Sequence, residues 1–430
     1  MKKKLVSVLL CAAMTAGLVA GCGGKAGDTS KGDAKGSVYW LNFKPEADEG
    51  LQTLAKEYTE ETGVDVKVVT AASGTYSSTL TAEMAKSEAP TLFVVGNQGG
   101  VATWKDYCYD LKDTAVYKEL TTDDFTLYDE SGKACSIGYC YETFGIIVNK
   151  TLLDKAGYKT EDIKDFASLK KVADDIHARA GELGFDAFTS SGMDDSSSWR
   201  FSGHLANLPL YYEEQADKWT GCPAEIKGTY LDNYKNIWDL YTTDSAVDKT
   251  TLATGGYDAE GEFLNGQAVF YQNGSWEYEN LSKKYGDDEL QMIPIYTGVD
   301  GEENQGLCSG TENCWAVNAK ASEEDIKATL DFMNWLVTSE KGTAFMADKF
   351  GEIPYKKAAE NKNVFFRDAK ALMEAGKYSV DWAFNYTPNV DEWRAGVVAA
   401  LNNYDAGGSW DDVVTAFVDG WATQYKAANE

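Results

Sequence analysis

Two tryptophans stand where a chain can hold a flat aromatic face toward a ligand. Trp276 closes the run Phe263–Tyr278, in which an apolar stretch, Ala268–Gln272, is followed by Asn273-Gly274-Ser275. Trp199 closes the polar run Thr189–Arg200 that follows a second apolar stretch, Phe185–Phe188. An indole offers a large rigid apolar surface at small entropic cost, and the C–H face of a sugar ring stacks on such a surface. Three further points carry matching polar groups: Phe43-Lys44, Tyr76 after Ser73-Gly74-Thr75, and Asn97-Gln98 after Gly96. Amides, hydroxyls and one cation supply the donors and acceptors that sugar hydroxyls require. The plainer alternatives stay open: Trp276 and Trp199 as core indoles beside turns, and the Asn and Gly residues as turn formers.

Covalent chemistry is poorly represented. The chain has two histidines and no His-Glu-x-x-His, no Gly-x-Ser-x-Gly elbow and no phosphate-binding loop of the Walker type. Ser168 and Lys171 have the Ser-x-x-Lys spacing, but Ser168 reads as a helix cap. His177 and His204 read as helix residues, the first on a charged surface and the second meeting a local hydrogen bond. The acidic loop Asp300–Gly306 lacks the ligand spacing of a calcium loop, so neither a metal nor a cofactor is expected. The 68 acidic residues leave a carboxylate pair for glycoside hydrolysis open, because separation in space is not written in sequence.

The formal charge of −28 argues against nucleic acid and anionic membrane surfaces as partners and is compatible with neutral ligands. Lys2–Lys4, the apolar Leu5–Val19 and then Leu18-Val19-Ala20-Gly21-Cys22 form a short secretory leader, residues 1–21. Its end resembles a bacterial lipobox, which places a lipid on Cys22 and the protein at the outer face of the cell membrane. Residues 22–36 are small and polar and read as a flexible tether. Cys108, Cys135, Cys140, Cys222, Cys308 and Cys314 include no Cys-x-x-Cys; they either pair or stay free and buried.

The roughly 390 residues beyond the tether exceed what one core holds and predict two domains. Ser37–Phe43, Val64–Val69 and Thr91–Val95 read as strands. A helix from Glu46 to Thr62, stopped by Gly63, and one through Leu80 and Met84 separate them. This βαβαβ order predicts a doubly wound α/β sheet with its strand ends along one rim, where such sheets bind ligands. Further on, the pattern predicts helices over Leu152–Gly157, over Ser168–Leu183 and through Tyr230, Tyr234, Ile237, Trp238 and Tyr241. A strand is predicted over Leu290–Tyr296, and a helix after a Ser322/Asp325 capping box. In the central run, Gly266 is expected to stop a helix, Asn273-Gly274 to turn the chain and Ser275 to cap the next helix.

The pattern Phe-Leu-Asn-Gly-x-Ala, four residues, Asn-Gly-x-Trp over 263–276 resembles a segment of the extracellular solute-binding proteins of bacterial ABC importers, in the large family-1 group that mostly carries oligosaccharides. Tyr139–Lys150, Ser309–Val317 and Gly351–Pro354 resemble that family's three passages between lobes, and the likeness runs from about Ser37 to the tail. It implies a two-lobed periplasmic-binding-protein-like fold joined by three hinge crossings. Residues 37–138 plus 310–352 would form one lobe, and residues 139–309 plus 353–430 the other. It implies Glu142 facing the cleft, with a solvated surface residue as its alternative. It also implies a cleft role for Trp382 in the break Asp381–Pro388, with a wedge between tail helices as the alternative. It further implies a monomer that binds a neutral oligosaccharide, malto- or raffinose-type, closes, and delivers it to a two-part permease without making or breaking a bond. The competing classes are a lipid-anchored glycosidase and a receptor for peptides, polyamines or metals.

Overall fold

The computed structural model describes residues 35–190, 192–194, 196–253 and 256–429. The leader, Cys11, Cys22 and the tether up to residue 34 lie outside the described residues, as do Ser191 and Asp195 of the loop before Trp199. Among the described residues twelve strands occur in chain order: β1 Ser37–Asn42, β2 Asp65–Thr70, β3 Leu92–Val94, β4 Thr126–Tyr128, β5 Ala134–Gly138, β6 Glu142–Asn149, β7 Asp186–Phe188, β8 Ala268–Gly274, β9 Leu290–Ile293, β10 Gln305–Gly310, β11 Cys314–Val317 and β12 Tyr378–Val380.

They form two sheets. One has the order β2-β1-β3-β11-β5-β4, the other β12-β10-β6-β8-β7, with β9 also paired to β6. The first three strands are parallel, as the βαβαβ pattern requires. The sheets are nonetheless mixed rather than purely doubly wound. β11 returns from the other sheet and runs antiparallel to both β3 and β5, and β6 is antiparallel to β8, β9 and β10. A strand that enters a sheet from a neighbouring lobe arrives without the crossover helix that would turn it parallel.

Each sheet is covered on both faces. Trp40, Leu51, Trp315, Phe332 and Phe350 pack on one side of the first sheet, and Leu41, Leu80, Phe93 and Val101 on the other. The second sheet lies between a large cluster around Phe144, Phe188, Phe201, Trp238 and Trp393 and a smaller one around Ile147, Phe263, Tyr271 and Phe365. Burial on both faces explains why every residue of β6 is buried and why its sequence does not alternate. It also accounts for much of the aromatic content, since Trp40, Trp238, Trp315, Trp393 and Trp421 are all core residues.

Most element boundaries follow local signals. The helix Asp48–Thr62 ends where Gly63 takes a left-handed φ of 71°. It starts at Asp48 rather than Glu46, because Pro45–Ala47 forms a separate 3-10 turn. The predicted helix Ser168–Leu183 is two pieces, Phe166–Ala178 and Ala180–Leu183, with Asp165 as the cap and Ser168 completing its capping box. β9 stops at Ile293, since Pro294 has no N–H for a ladder. Ser322 caps the helix Glu323–Thr338 as expected, while Asp325 turns to accept from the backbone N–H of Ser37 at 2.7 Å. The six described cysteines are free thiols, and all but Cys222 are buried.

The central run departs from its reading in two linked respects. A helix, Ala259–Leu264, does end before Gly266, whose φ is 67°. Asn273-Gly274 does not turn the chain, because β8 continues through both residues in pairing with Gly145 and Phe144. Ser275 is therefore no helix cap; its hydroxyl accepts from the Thr143 backbone N–H at 3.3 Å.

Candidate functional site

Three passages connect the two sheets: residues 139–141 between β5 and β6, residues 311–313 between β10 and β11, and the segment after the helix Glu340–Lys349. The third lies beside the first, with the Tyr141 N–H donating to the Glu352 carbonyl at 2.6 Å. Lys44, Glu142, Trp276 and Trp382 lie beside these passages.

On the first-sheet side, Asn42 bends the chain as β1 ends. Its amide donates to the Lys44 carbonyl at 2.7 Å and its carbonyl accepts from the Lys44 N–H at 3.1 Å. This turns the Lys44 side chain inward, where Nζ lies 2.5 Å from Glu142 and 2.9 Å from Glu46. The other Glu142 oxygen accepts from the Asn313 amide at 2.6 Å. One buried ion pair thus joins the end of β1, the start of β6 and the return passage. Burial alone would pull the Lys44 pKa down, yet attraction to Glu142 and Glu46 outweighs it and holds the ammonium above its ordinary value.

Phe43 is half-buried, edge-on to Tyr76 at 5.2 Å. The Tyr76 hydroxyl is engaged within the fold, donating to the Leu41 carbonyl and accepting from the Val94 N–H at 2.7 Å. Asn97 caps the helix Gln98–Trp104 through the Gly100 N–H, and Gln98 is exposed in its first turn. Phe43 and Gln98 therefore keep free surface, whereas the polar atoms of Lys44, Tyr76 and Glu142 have partners inside the protein.

On the second-sheet side, two indoles lie over glycines flanking the start of β6. Gly274 pairs with Phe144, and a Cβ at Gly274 would come within 2.2 Å of the Trp276 ring. Gly310 pairs with Glu142, and a Cβ there would come within 2.7 Å of Trp382. Only glycine permits either approach. Trp382 is 6% exposed and packs on Phe144 and Phe384, so it lies mainly within the lobe. Trp276 and Trp199 are half-buried, 6.0 Å apart between centroids, and the Trp199 N–H donates to the Ser196 carbonyl. Lys44 stands 5.8 Å from the Trp276 ring, which brings the two sides together. Trp276 and Glu142 also line a pocket together with Asp348–Gly351, Asn363 and Phe366.

Sequence reasoning missed the polar groups behind these indoles. Buried His204 stacks on Phe144 at 4.0 Å and meets both Trp199 and Trp276. Burial, with Arg394 and Arg200 nearby, holds its pKa well below the ordinary histidine value. Glu277 shares one oxygen with the Asn273 amide at 2.9 Å, and the other is buried without a partner among the described residues. Burial and the Glu260 carboxylate push its pKa up to about 8. No local signal marks this contact, because Trp199 and His204 meet edge-on only through the π-helical turn at Arg200–Leu205.

Residues 53–373 match the model of a family described as bacterial extracellular solute-binding protein. The chain belongs to that family. No curated protein matches it in sequence. Among solved structures, the solute-binding protein RafE in complex with raffinose aligns with a TM-score of 0.67 at 16% identity, over 92% of this chain and 100% of that one. The GacH receptor of Streptomyces glaucescens, solved unliganded and with acarbose, aligns with a TM-score of 0.67 at 20% identity, over 92% and 99%. A sugar transporter from Bacillus licheniformis in complex with stachyose gives 0.67 at 17% identity, over 90% and 99%. The two-lobed α/β architecture is thus that of solute-binding proteins. As a solute-binding protein the chain works by binding, and the glycosidase alternative is set aside.

Proposed function

We propose that this solute-binding protein captures a neutral oligosaccharide between its lobes and delivers it to a two-part ABC permease, held at the outer face of the cell membrane by a lipid on Cys22. We take the lobes as residues 37–138 plus 310–352 and 139–309 plus 353–430, and the protein as a monomer. The observation that carries the ligand class is the half-buried indole pair Trp276 and Trp199 beside the passages between sheets. Rigid aromatic faces next to polar groups suit a ring with one apolar and one hydroxylated aspect. RafE was solved with raffinose and GacH with acarbose, which supports raffinose- or malto-type ligands as the first to try. Phe43, Gln98 and Trp276 are the contacts we expect first, with Trp199 flanking. Lys44, Glu142, Tyr76, Asn97 and Trp382 support them from behind. Ligand bound across the passages shifts the population toward a closed form.

A thermal-shift screen of neutral oligosaccharides tests the reading. A ligand at about 100-fold its dissociation constant adds roughly 2.7 kcal/mol to stability. A panel in which peptides, polyamines or metal ions shift the melt and no oligosaccharide does would overturn it.

A further inference from the structure

We propose that His204 contacts the ligand and helps set its specificity, its Nε2–H donating a hydrogen bond to an oxygen of the sugar ring that covers Trp276. The inference rests on the oligosaccharide reading and adds a polar contact to it.

The backbone places the residue. Arg200–Leu205 forms a π-helical turn directly after Trp199. Such turns shift side chains out of α-helical register and are frequent at functional sites. Here the turn brings the His204 ring under Trp199, with centroids 4.9 Å apart and planes at 81°. Phe144 covers one face of the imidazole at 4.0 Å, nearly parallel at 9°, and Trp276 lies 5.4 Å away. His204 is therefore the polar member of an aromatic box, 5% exposed.

The orientation of the Gln272 amide sets which nitrogen carries the proton. Nδ1 lies 2.9 Å from Nε2 of Gln272, an amide nitrogen that donates, so Nδ1 accepts and the proton sits on Nε2. Burial and the charges of Arg394 and Arg200 keep the ring neutral, so one N–H remains to donate. Nε2 has no hydrogen-bond partner among the described residues, nor is it among their fully buried unpartnered atoms. Arg394, against Gly203 and over the Phe384 ring, adds a second set of donors whose Nε is also unpartnered. The Nε2–H and the Arg394 Nε are donors that a ligand oxygen can meet, beside the unpartnered Gln272 Oε1. A hydroxyl or ring oxygen does so without adding charge.

The test uses the tightest oligosaccharide from the thermal-shift screen and calorimetry on three proteins. His204→Phe keeps a ring on Phe144 and removes the donor; affinity is expected to fall about three- to tenfold. His204→Gln keeps an N–H near the Nε2 position and is expected to bind more tightly than the Phe variant. If the Phe variant does not fold, the Gln variant is compared with His204→Met instead. Wild-type affinity in the donor-free variant, or equal losses in Phe and Gln variants, overturns the proposal. If the wild type binds no oligosaccharide at all, the failure lies with the oligosaccharide reading, and this contact falls with it.

Discussion

The Lys44–Glu142 pair allows the sharpest stability prediction. Lys44 is 3% exposed and Glu142 4%, and they meet at 2.5 Å. Lys44→Met keeps most of the apolar stem and removes the ammonium. Glu142 is then left with the Asn313 amide as its hydrogen-bond donor. Removing one partner of a buried pair costs about 3–5 kcal/mol, because the other charge stays buried without compensation. Burial already raises the Glu142 pKa by more than Lys44 lowers it. Without Lys44 it rises further, and a carboxyl whose folded pKa is raised stabilises at low pH and loses that contribution as pH rises through it. Lys44→Met should therefore lose less stability at pH 5 than at pH 8. Adding Glu142→Gln should return part of the loss at pH 8, since the unpaired charge is gone. Urea melts followed by circular dichroism at the two pH values measure Lys44→Met, Glu142→Gln alone and the double variant. A loss under about 1 kcal/mol at both pH values, as for an exposed pair, would refute the reasoning. So would a double variant whose loss equals the sum of the single losses.

Other outcomes follow from the same geometry. Glu277 has a folded pKa of about 8 against an ordinary 4.5, so its contribution to stability is full below about 4.5 and lost as pH rises through 8. Glu277→Gln should flatten that part of the stability–pH curve, and an unchanged slope in urea melts between pH 5 and 8 would refute the assignment. Cys22→Ser should release the protein from membranes or leave the leader uncleaved; normal processing with full membrane retention on fractionation contradicts the lipid anchor. Small-angle scattering should show a smaller radius of gyration with saturating oligosaccharide than without, and an unchanged radius would count against closure.

Much of the fold was legible because its signals are local. Leu51, Leu54, Ala55 and Tyr58 at helical spacing, stopped by Gly63, give the helix Asp48–Thr62 without reference to anything distant. The strand after Gly266 is similarly plain. Its continuation through Asn273-Gly274 is not, because turn propensity there is overridden by pairing with β6, more than a hundred residues away in sequence. The antiparallel return of β11 is hidden for the same reason. At the site, residue types are legible in the sequence, but whether a polar atom is free depends on long-range partners. The Tyr76 hydroxyl is taken by Val94 and Leu41, and Lys44 by Glu142. His204 was invisible as a box member because Phe144 and Trp276, which frame it, lie far from it in sequence.

The central claim is that Trp276 is a binding platform rather than a core indole, and calorimetry on Trp276→Ala with the best oligosaccharide tests it most directly. Trp276 is half-buried, and an affinity loss of about 2 kcal/mol or more is expected. The ligand-free stability loss in urea should stay below the roughly 3–5 kcal/mol of a fully buried Trp truncation. A variant that binds its sugar as the wild type does, yet loses stability on that larger scale, would contradict the account.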